Sequence, residues 1–93
     1  MTQYDLWLKA CSEKNEYPYL LKSFAGIFLF QLKIINNPNP NSYNHYHTTY
    51  HVWDKIYDKC VFTSTEYQTA YKKYKDYTRT AIGYNLFSIK ENE

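Results

Sequence analysis

The stretch HYHTTYHVWDKIYDKCV, residues 45–61, decides the fold. Its second half, VWDKIYDKCV (52–61), alternates an apolar pair with a charged pair. Val52, Trp53, Ile56, Tyr57, Cys60 and Val61 fall on one helical stripe, and Asp54, Lys55, Asp58 and Lys59 fall on the other. Strand alternation would mix charge onto both faces, so the helical template fits better. The spacing predicts a helix over 49–61 with Trp53, Ile56 and Tyr57 buried.

All three histidines of the chain lie in the first half of this stretch. A helix starting near 47 would align His47, His51, Asp54 and Asp58 at i, i+4, i+7 and i+11. Two histidines four apart can chelate zinc, and a carboxylate such as Asp54 can add a ligand. The comparable HExxH motif places a glutamate directly after its first histidine, where this chain has Thr48. On a strand, His45, His47 and His51 would instead share a face. We expect all three to be exposed and metal-free, and we expect no cofactor. A metal-dependent enzyme built on His47, His51 and Asp54 is the third of three functional readings.

Working outward, Thr2 is placed to cap a helix over TQYDLWLKACSEK, with Asp5 near its positive end. Tyr4, Trp7, Leu8 and Cys11 then share one face. From Pro18 to Ile35, helical spacing predicts a second, central helix, apolar nearly all round and interrupted by Gly26. The alternative for 27–35 is a buried strand, because Ile and Phe are abundant there. NNPNPNSYN (36–44) is a loop, since each proline follows an asparagine and neither residue suits a helix. Downstream, Thr63 and Glu66 stand three apart, as in a capping box. A helix over 64–81 then places Tyr67, Ala70, Tyr71, Tyr74, Tyr77 and Ala81 together, with Gly83 closing it. YNLFSIK (84–90) reads as a strand or extended tail.

These elements give a single domain over 1–93 that is mainly α: three or four helices, with a short strand, hairpin or extended C-terminal tail. The alternative is α+β, with strands near 27–35 and 84–90.

Composition limits the chemistry. Eleven basic and nine acidic residues give a net charge of +2, too little to imply a polyanionic partner by itself. With only Gly26 and Gly83 available, no glycine-rich phosphate loop can be built. Clustered carboxylates and a nucleophile–base pair are also lacking, so we expect no enzyme activity. Two cysteines are too few for a disulfide-built scaffold and read as reduced core residues. Residues 1–15 show no signal-peptide pattern, and no apolar run approaches a membrane span. The expectation is a cytoplasmic protein with no membrane association.

Twelve tyrosines in 93 residues exceed what so small a core can hide. Several must be at the surface, where tyrosine is a preferred interface residue. The leading functional reading is therefore a small non-enzymatic module that binds a protein, with homo-oligomerisation open to it. Tyr43 and Tyr46, in the polar loop, are the expected partner-binding residues. The abundance of Asn, Lys, Ile, Tyr and Phe suggests an AT-rich genome. That composition suits an accessory protein of a phage or mobile element that inhibits a host enzyme or defence complex. The second reading is nucleic-acid binding through Lys72, Lys73, Lys75 and Arg79 in YKKYKDYTR, where tyrosines interleave with cations.

Overall fold

The computed structural model describes residues 1–91, with side chains as far as Ala81. The order is α1 (Gln3–Glu13), β1 (Tyr19–Phe24), β2 (Ile27–Ile35), β3 (Tyr46–Asp54), β4 (Lys59–Ser64) and α2 (Tyr67–Glu91). The four strands form one antiparallel sheet in sequence order, β1-β2-β3-β4. The fold is therefore α+β, and the mainly helical reading is wrong.

The error has a definite source. The pairing Phe28↔Trp53, Leu29↔Val52 and Phe30↔His51 places alternate residues of β2 and β3 on opposite faces. Ile27, Leu29 and Val52 pack under Ala70 and Tyr74 of α2. Phe28, Phe30, His51 and Trp53 meet Tyr4 and Trp7 of α1 on the other face. A strand covered on both faces needs apolar residues on both, so the adjacent pair Val52–Trp53 imitates a helical stripe. The same holds for IFLFQLKII of β2, where the strand alternative for 27–35 coincides with the observed element. The helix read from Pro18 to Ile35 is in fact the β1–β2 hairpin. The helix read over 49–61 is most of β3, a turn and the start of β4.

Turn chemistry separates those strands. The Asp54 carboxylate accepts the backbone N–H groups of Ile56 (2.9 Å) and Tyr57 (3.0 Å). Asp58 then takes the left-handed conformation at φ 54°, which aspartate tolerates better than most residues. The pair Asp54↔Lys59 closes the hairpin. Between β1 and β2, Ala25 (φ 53°) and Gly26 (φ 82°) make a two-residue connection, with both residues left-handed. Gly26 also lies against Ile56: a Cβ there would stand 3.0 Å from its Cγ1.

The edge strands are irregular. The ladder slips between Leu20 and Lys22 in β1, and opposite Cys60 and Phe62 in β4. The inserted residues, Leu21 and Val61, pack against the core on the α2 face. Bulges at an edge discourage pairing with another sheet.

The first helix is anchored at its start. Thr2 and Asp5 form a reciprocal capping box, as their spacing suggests. Asp58 caps the same helix from the β3–β4 turn, accepting from the Gln3 N–H (2.6 Å) and the Tyr4 N–H (3.0 Å). Lys55 of that turn sits 3.3 Å from the centre of the Tyr4 ring. Cys11 is buried, whereas Cys60 is exposed on β4, so only one cysteine is a core residue.

The second helix begins at Tyr67. Ser64, the last residue of β4, accepts the Glu66 N–H at 3.0 Å in place of the Thr63–Glu66 box that the spacing suggests. Its tyrosine face packs on the sheet as the spacing indicates. The helix runs through Gly83 to Glu91, so 84–90 is helical rather than a strand. Among the described residues, no helix is long and apolar enough to cross a membrane.

Candidate functional site

β1 pairs with β2 only as far as Gln31, and β4 pairs with β3 only as far as Tyr50. Beyond these points, among the described residues, Leu32–Ile35 and Tyr46–Thr49 pair only with each other. They form a two-stranded finger that carries the loop 36–45 at its tip. This loop joins two strands, not two helices.

The loop is braced from within. His45 O accepts the N–H groups of Asn36 (2.7 Å) and Asn37 (3.2 Å). Asn37 Oδ1 accepts the Asn39 N–H, and Asn39 Oδ1 accepts the Asn41 N–H, each at 3.0 Å. Asn37 Nδ2 donates to Ser42 Oγ (3.3 Å) and Asn44 Oδ1 (3.2 Å). Short asparagine side chains mimic backbone turns in this way. Pro38 and Pro40 fix φ between them. The asparagine-rich composition, readable as low complexity, thus builds a defined shape.

Aromatic and aliphatic residues project from the finger. Tyr43 is 100 % exposed at the tip. Tyr46 and Ile35 are an exposed cross-strand pair at the mouth of the loop. The Tyr46 ring packs edge-on against His45 at 4.5 Å, and Lys33 Nζ lies 5.7 Å from its centre.

The histidines are dispersed. His45 lies in the loop, and its Nδ1 donates to the Asn37 carbonyl. His47 is exposed opposite Ile34. His51, expected to be exposed, is half-buried against Trp7, with Nε2 2.9 Å from Thr49 Oγ1. Burial pushes its pKa below the ordinary 6.5. Asp54 falls on the opposite face of β3 from His47 and His51, because strand positions alternate. Among the described residues, no three His, Cys, Asp or Glu side chains come together as a metal site.

A second surface runs along β1 and α2. Gln68, Tyr71, Lys72, Lys75, Asp76 and Arg79 line one groove. Lys22 of β1 and Lys75 of α2 flank the Tyr71 ring, at 5.5 and 5.0 Å from its centre. Lys73 points elsewhere, over Phe62 of β4 at 5.7 Å. The sequence grouping of Lys72, Lys73, Lys75 and Arg79 therefore loses one member and gains Lys22. Farther along the same face, Tyr17, Tyr19, Gln31 and Lys33 line a shallow depression. Neither Tyr17 nor Tyr19 stands out in the sequence, because the helix read from Pro18 to Ile35 takes in Tyr19 and leaves Tyr17 just before it.

No known protein family, curated protein or solved structure matches this chain. Fold and surface together define a small α+β domain with a projecting finger and a cationic groove.

Proposed function

We propose that this chain is a non-enzymatic protein-binding module that presents the β2–β3 finger to its partner. The observation that carries the reading is the contrast between the loop's internal bracing and the full exposure of Tyr43. A loop already held in one shape loses little entropy on binding, and a projecting aromatic then contributes its full contact area. Tyr46 and Ile35 extend that contact at the base of the loop. A narrow finger suits insertion into a cleft. An accessory protein of a phage or mobile element could block a host enzyme or defence complex in this way. That origin is supported by the AT-rich composition alone.

The test begins with a tagged chain captured from its native host, so that the partner can be identified. Binding is then titrated for the parent, for Tyr43→Ala/Tyr46→Ala and for Lys72→Ala/Lys75→Ala/Arg79→Ala. The reading expects the tyrosine pair to lose about 2 kcal/mol or more. A loss confined to the basic triple would overturn it.

A further inference from the structure

The net charge of +2 conceals a strong asymmetry. Between Tyr67 and Ala81, α2 carries Lys72, Lys73, Lys75 and Arg79 against Asp76, and β1 adds Lys22. Helix α1, on the opposite face, carries Lys9 against Asp5 and Glu13. Four of the cations, Lys22, Lys72, Lys75 and Arg79, border one groove around Tyr71. The strand that supplies Lys22 also supplies Tyr19 on the same face, by the register Tyr19↔Gln31 and Lys22↔Leu29. Tyr19 and its neighbour Tyr17 are 69 % and 68 % exposed.

We propose that this track, from Arg79 past Lys22 to Tyr17, binds single-stranded nucleic acid. Phosphates lie against Lys22, Lys72, Lys75 and Arg79, and bases stack on Tyr17 and Tyr19 beside Lys33. A cationic groove that continues into exposed aromatic rings is the arrangement that holds single strands without reading their sequence. The composition favours this occupant over an acidic protein. Three of the four groove cations are lysines, and lysine is depleted at protein–protein interfaces, whereas it readily contacts phosphate. Asp76, at the groove's edge, is its one carboxylate among the lining residues. The track reaches the base of the finger at Lys33, whose Nζ lies 5.7 Å from the centre of the Tyr46 ring, but it shares no residue with Ile35, Tyr43 and Tyr46.

The experiment uses the full chain and fluorescein-labelled oligodeoxythymidylate and oligouridylate, titrated across a range of salt. Labelled duplex DNA and polyglutamate serve as comparison ligands. Affinity should fall with salt at a log–log slope of about −3, or about −0.7 for each of four phosphates. Lys72→Ala/Lys75→Ala/Arg79→Ala should bind at least tenfold more weakly and flatten the slope. Tyr17→Ala/Tyr19→Ala should also bind about tenfold more weakly, with the slope unchanged. Lys73→Ala, altered away from the groove, should stay within about twofold of the parent. All of these side chains are accessible, and matched melting curves establish that each variant is folded. Absence of oligonucleotide binding at low salt would overturn the proposal. So would polyglutamate or duplex DNA binding as tightly as the single strands, or a tyrosine pair that binds like the parent.

Discussion

The carboxylate of Asp58 accepts the backbone N–H of Tyr4 at 3.0 Å, joining residues 54 positions apart. With Thr2 and Asp5, it completes the capping of α1. Thr2 N–H reaches Asp5, Gln3 and Tyr4 reach Asp58, and Asp5 N–H reaches Thr2. These are the four donors that a helix start leaves without intrahelical partners. Glycine tolerates the φ of 54° at position 58, so Asp58→Gly removes the cap without straining the turn. Chemical denaturation should show a loss of about 1–2 kcal/mol. Asp58→Ala should lose more, because alanine adds the left-handed penalty.

Ala25 occupies a left-handed position at φ 53°, in a connection whose favoured sequence is Asn-Gly. Alanine gains nothing there in exchange for that penalty. Ala25→Asn is expected to raise stability by about 0.5–1 kcal/mol, read as a higher denaturation midpoint with an unchanged slope. Gly26→Ala should do the opposite, since its φ is 82° and its Cβ would press on Ile56. A destabilised Ala25→Asn protein would contradict the turn geometry.

His51 couples the docking of α1 to pH. Burial against Trp7 favours the neutral ring and lowers the pKa. An unfolded chain protonates this residue near its ordinary 6.5, whereas the folded site resists the proton. The stability supplied by neutral His51 is therefore complete above that pH. It drains away as pH falls through the lower folded value. Denaturation curves at about pH 7.5 and about pH 5 should show the parent losing stability on acidification. His51→Phe, which cannot take a proton, should lose less across the same interval. Equal losses in both proteins would remove His51 as the cause.

Much of the helical layer was legible in the sequence, and little of the sheet was. Thr2, Asp5, Tyr4, Trp7 and Cys11 announced α1, because a surface helix keeps one apolar stripe and a capped start. The tyrosine face of α2 was legible for the same reason. β2 and β3 were not, because helices cover both of their faces and erase the alternation that identifies a strand. Short-range chemistry held the missing information. Asp54 bonded to Ile56 and Tyr57 marks a turn, as does Ala25–Gly26, but neither is a strong turn signature on its own. For the candidate sites, Tyr43 and Tyr46 could be located because prolines and asparagines define a loop. Of the groove, Lys72, Lys75 and Arg79 were legible as a helical stripe, whereas Lys22 was not, since it joins Lys75 only through the pairing of β1 with β2 and the packing of α2 above it.

Trp53 tests the layer between α1 and the sheet. It is buried, with Trp7 at 5.2 Å and Tyr4 at 5.6 Å between ring centres, whereas Ile56 and Tyr57, which the helical reading would bury with it, are exposed in the β3–β4 turn. Its indole Nε1–H reaches no hydrogen-bond partner among the described residues. A buried, unpaired donor costs about 1–3 kcal/mol. Replacing the indole by a benzene ring removes that cost and also gives up some apolar area. The two effects oppose each other, so Trp53→Phe should lie within about 1 kcal/mol of the parent. Trp53→Ala keeps none of the packing and should cost about 3–5 kcal/mol. Chemical denaturation of both variants, followed through Trp7 fluorescence, gives the comparison. A Trp53→Phe protein as unstable as Trp53→Ala would mean that the indole N–H has a partner that stabilises the fold.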